Sequence, residues 1–236
     1  MSERLYTRRQ VLGVGAAGLL TGLAGCSGGT ETDGPSVTSG ALELVPADVT
    51  IVGRIEVAQL LSDPFVESSV ENALSALAEQ RPGLGGPEGF EDVLTIAEEQ
   101  LGIDPREIDV VTMLFESPDM QAEDGLAGIV IETELSESSI LEALGSDLQG
   151  SFTERTYEGT TLHEPEDGTG AIGMVADGVY VLGTVALCEA VVDRSNGSGA
   201  GISEALRTAY EGAPDGPVRF GADVSAWSDR PTSGPF

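Results

Sequence analysis

The sequence predicts an α+β domain over residues 41–224: a largely antiparallel sheet with helices packed on one side, arranged as two similar βαβ-containing halves. Three observations carry this expectation. Short runs rich in β-branched residues alternate with segments whose apolar residues recur at helical spacing. Glu158-Gly159, Asp167-Gly168 and Asp177-Gly178 separate consecutive short runs, and Asp-Gly between alternating apolar stretches is a strong hairpin signal. The first six elements read β-α-β-β-α-β, the order of a split βαβ module, and a run of further strands follows. About 185 residues are enough to bury one substantial core.

Val49 to Val57 (Val-Thr-Ile-Val-Gly-Arg-Ile-Glu-Val) is a strand by its β-branched content. Pro64 suits the first turn of a helix and Asp63 its cap, with Val66, Val70, Leu74 and Leu77 as the apolar face. Arg81-Pro82-Gly83-Leu84-Gly85-Gly86-Pro87 breaks it. Phe90 to Leu101 is a second amphipathic helix, closed by Gly102. Strands over Ile108–Glu116 and Leu126–Thr133 precede a helix over Ser136–Leu148, with Ile140, Leu141 and Leu144 facing inward. Ser151–Tyr157, Thr160–His163, Ala171–Ala176 and Val179–Gly183 are short strands. Helices over Val185–Arg194 and Ile202–Tyr210 flank a polar loop, and Val218–Val224 is the last strand. Residues 225–236 form a C-terminal tail.

The N-terminal 25 residues read as an export signal. Thr7-Arg8-Arg9-Gln10-Val11-Leu12 is a twin-arginine motif, an uncharged core follows from Val11 to Leu20, and Leu23-Ala24-Gly25-Cys26 is a lipobox. Cleavage leaves Cys26 as a lipidated N-terminus, attached to the membrane through acyl chains. An uncleaved membrane-spanning anchor is the alternative. The core is short of the about 20 apolar residues a span needs, and Gly13, Gly15, Gly18, Thr21 and Gly22 dilute it. Residues 26–40 hold one aliphatic residue, Val37, so they bury nothing and serve as a flexible linker.

Acidic residues number 40 against 11 basic ones; all 11 are Arg, with no Lys anywhere. Without the signal, which holds Arg4, Arg8, Arg9 and Glu3, 8 Arg remain against 39 acids, a net charge of −31. Such a chain repels itself strongly at low ionic strength, but at 1 M salt the Debye length is only about 3 Å. A halophilic acidic surface is the economical reading. Disorder fits poorly with 40% hydrophobic residues in periodic runs. A basic partner would call for clustered acids, and calcium for a ligand loop. Nucleic acid is excluded as a partner, because no basic stripe exists to neutralise phosphates.

Two resemblances follow from these residues. The Arg8-Arg9 to Cys26 segment, with its Gly-rich core and Gly-Thr-Asp-Ser linker, resembles the signals of lipoproteins from salt-loving archaea. The Tyr-Glu-Gly-Thr-Thr-Leu-His strand, the Ala-Asp-Gly-Val-Tyr-Val-Leu-Gly hairpin and the Val45 to Asp48 opening look like a group of exported proteins of unknown function. That resemblance implies an α+β fold and no catalytic residue.

The catalytic inventory is thin. His163 is the sole histidine, so zinc would need carboxylates and Cys188 around it. Without Lys, Schiff-base chemistry and a P-loop are impossible. Gly83 to Gly89 and Gly197 to Gly201 read as connectors rather than phosphate loops, since neither directly follows a strand. Glu164-Pro165-Glu166-Asp167 reads as a solvated turn. With Cys26 lipidated, Cys188 has no disulfide partner and reads as a buried, inert thiol. Asn196-Gly197-Ser198 is a candidate N-glycosylation acceptor.

The sequence therefore names no catalytic residue, no metal site and no cofactor. Its leading expectation is a non-enzymatic lipoprotein on the outer face of a halophile's membrane, binding an envelope partner. A substrate-binding lipoprotein of a transporter and a carboxylate-based hydrolase are the alternatives. A deep apolar pocket would favour the first, paired buried carboxylates the second, and an exposed apolar patch the interaction module.

Overall fold

A computed structural model of the chain describes residues 42–80, 87, 89–117, 125–148, 152–166, 168 and 170–225. The export motif Arg8-Arg9, Cys26, the linker, Gly83 to Gly86 and residues 226–236 of the C-terminal tail lie outside the described residues. The eight strands are β1 (Ile51–Glu56), β2 (Ile108–Phe115), β3 (Ala127–Thr133), β4 (Phe152–Tyr157), β5 (Thr160–Pro165), β6 (Ala171–Ala176), β7 (Val179–Gly183) and β8 (Val218–Ala222). They form one sheet in the order β4-β5-β6-β7-β3-β2-β1-β8, and every neighbouring pair is antiparallel. The helices are α1 (Val57–Leu61), α2 (Pro64–Gln80), α3 (Phe90–Leu101), α4 (Glu137–Leu148), α5 (Val185–Ser195) and α6 (Glu204–Glu211). The predicted α+β class is the observed one.

Local signals set the boundaries. Gly102 takes φ 70° and closes α3, while Asp63 Oδ1 accepts from the Phe65 N–H at 2.8 Å at the start of α2. Thr184 and Ser203 cap α5 and α6 by accepting from Leu187 and Leu206 N–H groups. Gly178 at φ 70° turns β6 into β7, and Glu158 and Gly159, both at positive φ, turn β4 into β5. The helix α1 was not expected: it begins at Val57, which the sequence reading places in the first strand.

Two expectations about arrangement are corrected. Helices cover both faces of the sheet, not one. Along β7, Val181 packs with Leu187, Cys188 and Val191 of α5, while its neighbour Tyr180 packs with Ile140 of α4. Adjacent strand residues point to opposite faces, so central strands with both residues buried need cover on both sides. Val130 and Ile131 of β3, and Ala171 and Ile172 of β6, repeat the pattern. The split βαβ module is also absent. β1 and β2 are direct antiparallel neighbours, because the helices between them, already expected to be more than one, return the chain to the end it left.

The larger core lies under α5 and α6, where Leu42, Val45 and Val49 also insert. The predicted apolar face of α2 stays only half-buried at Val66, Val70 and Leu74. Phe65 is 53% exposed, and the side chain of Leu77 lies outside the described residues.

Candidate functional site

The residues with the richest chemistry do not converge. His163 is buried on the α4 face, its Nε2 3.2 Å from Glu137 Oε1 in the first turn of α4, with the Phe152 ring edge-on to it. Cys188 lies on the opposite face, where its Sγ–H donates to the Ala171 carbonyl at 3.2 Å. Burial pushes its thiol up to about 12, so the nucleophilic thiolate is suppressed. Asn196 is exposed at the C-terminus of α5, and its side-chain amide donates to the Glu158 carbonyl at 3.2 Å. Ser198 of the same sequon donates its hydroxyl to the Asp193 carbonyl.

Among the described residues no carboxylate side chain is buried. The buried polar or charged side chains among the described residues are Arg54, Thr112, Thr133 and His163, with no Asp or Glu. The paired buried acids that a carboxylate hydrolase requires are thus missing from the described residues. Among the same residues no group of three or more His, Cys, Asp or Glu side chains could hold a metal ion. The acids that do pair serve as counter-ions. Arg155 reaches Glu164 at 2.6 Å and Glu189 at 2.8 Å, tying β4 and β5 to α5.

The unusual feature is β8, which is turned inside out. Residues of alternating parity face opposite sides of a strand, and in Val-Arg-Phe-Gly-Ala the expected inward set is Val218, Phe220 and Ala222. The structure instead turns Arg219 and Gly221 towards α6. Arg219 is ion-paired with Asp215, and its guanidinium lies 5.5 Å from the Tyr210 ring centroid. Phe220 is left 53% exposed on the other face.

A close approach fixes this register. A Cβ at Gly221 would lie 2.8 Å from the backbone of Tyr210, so α6 accepts only glycine there. A one-residue slip would place Phe220 at that point and is excluded sterically. In the adjoining strand Arg54, 5% exposed, sits opposite Arg219 and donates to Glu132 at 2.9 Å. Burial raises the Tyr210 hydroxyl pKa, and the two guanidinium groups counteract part of that rise.

The ring so exposed joins an apolar row. Phe220 pairs with Gly53, Gly53 with Met113, Met113 with Ile129, and Ile129 with Leu182. At Gly53 the Met113 Cε and the Phe220 ring come within 2.8 and 3.2 Å of where a Cβ would stand, so these two side chains close over it. Met113, Ile129 and Leu182 are half-buried. Gly53 itself is buried, and Phe220 on β8, the edge of the sheet, is the exposed member of the row. Sequence reading missed it, although Arg and Gly alternating with Val, Phe and Ala in an acidic chain marks a strand with two unlike faces.

No protein-family model matches the chain, and no curated protein matches it. Among solved structures, crystal form I of TP0453 matches with 13% identity and a TM-score of 0.39, over 76% of this chain. This chain spans 60% of the length of the TP0453 chain. Among the described residues no helix is long and apolar enough to cross a membrane.

Proposed function

We propose that the chain is a non-enzymatic interaction module, held on the outer face of a halophile's membrane through lipidated Cys26. Its contact surface is the row from Phe220 to Ile129. The inverted strand β8 carries this reading: a fold that places an arginine beneath a helix and an aromatic ring in solvent presents that ring for contact. The export motif Arg8-Arg9 supports delivery of a domain already folded.

Fractionation of native cells in molar salt tests both parts. Cys26→Ser should move the chain from the membrane to the medium. Phe220→Asp should keep the chain on the membrane with an unchanged unfolding midpoint and lose its cross-linked envelope partner. A Cys26→Ser chain that stays on the membrane would contradict the tether. An undiminished partner in Phe220→Asp would contradict the contact surface.

A further inference from the structure

The edge of β8 specifies what pairs with it. In its ladder with β1, the Asp223 N–H donates to the Thr50 carbonyl and the Glu56 N–H to the Pro217 carbonyl, both at 2.7 Å. With Ile51 opposite Ala222 and Ile55 opposite Val218, the antiparallel alternation directs Arg219 and Gly221 towards β1. The N–H and C=O groups of Val218, Phe220 and Ala222 therefore point away from the sheet. Among the described residues no strand lies beyond β8.

Edge strands are usually guarded by charge, proline or a bulge. The opposite edge follows that rule: β4 reads Phe-Thr-Glu-Arg-Thr-Tyr, with Glu154 and Arg155 at its middle. β8 does not. In a chain of 40 acidic residues it contains none, and its single charge, Arg219, is directed under α6 and neutralised by Asp215.

We propose that β8 pairs antiparallel with β8 of a second copy of this chain, about a two-fold axis at Phe220, making one continuous sheet. This rests on the reading of the Phe220 surface as a contact surface and names its partner. The five-residue strand is self-complementary about its centre. Val218 of one copy faces Ala222 of the other, and Phe220 faces Phe220, so each outward-pointing N–H meets a carbonyl. Arg219 faces Gly221, so no like charges stand opposite each other. The two exposed rings lie on the same face and shield one another.

A two-fold contact closes on itself, whereas β8 against β4 would leave free edges and propagate. The net charge of −31 on each copy sets the condition. At 0.01 M salt a Debye length of about 30 Å keeps the copies apart, and at 1 M about 3 Å removes the barrier. Association is gated by salt.

Sedimentation of the Cys26→Ser full-length chain in molar KCl tests the pairing. A dimer is expected at micromolar concentration. Ala222→Pro deletes one outward N–H per copy while leaving the ladder to β1 intact, and should weaken association by about tenfold or more. Phe220→Cys should form a covalent dimer under mild oxidation, since facing strand residues lie within disulfide reach; buried Cys188 should contribute nothing.

A monomer in molar salt, or no covalent dimer from Phe220→Cys, overturns the proposal. So does a dimer that Ala222→Pro leaves untouched. If the chain is monomeric while Phe220→Asp still sheds an envelope partner, the contact surface stands and the second copy is ruled out. If neither effect is seen, both readings are wrong.

Discussion

Raising KCl from tens of millimolar to molar is expected to lift the thermal unfolding midpoint by roughly 10–20 °C. With 8 Arg against 39 acids beyond residue 25, most carboxylates have no cation to pair with. The structure places arginines at strand and helix junctions, Arg54 on Glu132 and Arg155 on Glu164 and Glu189, and among the described residues no Asp or Glu is buried. The mutual repulsion of the acids is stronger in the compact state than in the extended one.

Net stability of a domain is only about 5–15 kcal/mol. Repulsion worth about 5 kcal/mol therefore removes a large share of it, and at roughly 2–4 °C per kcal/mol gives the expected rise. Circular dichroism melts across a KCl series check this. An equal midpoint throughout would show that the acidic surface is not an adaptation to salt.

Element boundaries were legible in the sequence wherever a single residue decides the geometry. Gly102, Gly159 and Gly178 adopt left-handed backbone that other residues resist, and the elements end there as expected. Layering was harder to read. Runs such as Leu126 to Ile131 and Val179 to Leu182 are nearly continuous in apolar residues, a pattern of strands buried on both sides. The one-sided expectation followed the hairpin signals instead.

β8 was opaque for a different reason. Which face of Val-Arg-Phe-Gly-Ala packs inward depends on the closeness of Tyr210 to Gly221, a contact between residues eleven apart that no periodicity encodes. The candidate surface depended on that contact. The lipobox and twin-arginine readings rest on linear motifs outside the described residues, and they bear on address rather than on contact.

Gly128→Ala is expected to destabilise the domain by about 3 kcal/mol, lowering the midpoint by about 10 °C. Gly128 of β3 lies directly opposite Gly183 of β7, beneath Leu187 of α5. An added Cβ would collide with the Leu182 carbonyl oxygen and stand 2.7 Å from both Gly183 Cα and Leu187 Cδ2. Two of these obstacles are backbone in the centre of the sheet, so relief requires moving β7 away from β3. That separation would loosen the seat of α5 and with it the core around Cys188 and Val191.

Gly53→Ala is the matched comparison. Its nearest obstacles are the Met113 terminal methyl and the Phe220 ring, side chains at the open face that can swing aside, so a loss within about 1 kcal/mol is expected. Urea unfolding in molar KCl distinguishes the two. Equal losses would show that the β3–β7 contact is no tighter than the exposed row.

In the proposed function the row of apolar side chains ending at Phe220 is a contact surface. Photo-cross-linking in intact cells, with a reactive residue at position 220 or at exposed Ala186 on the far side of α5, tests this most directly. A discrete adduct from position 220, whether with a second copy or an envelope protein, and none from position 186 is the predicted result. Equal labelling from both positions, or adducts from position 186 alone, would contradict it.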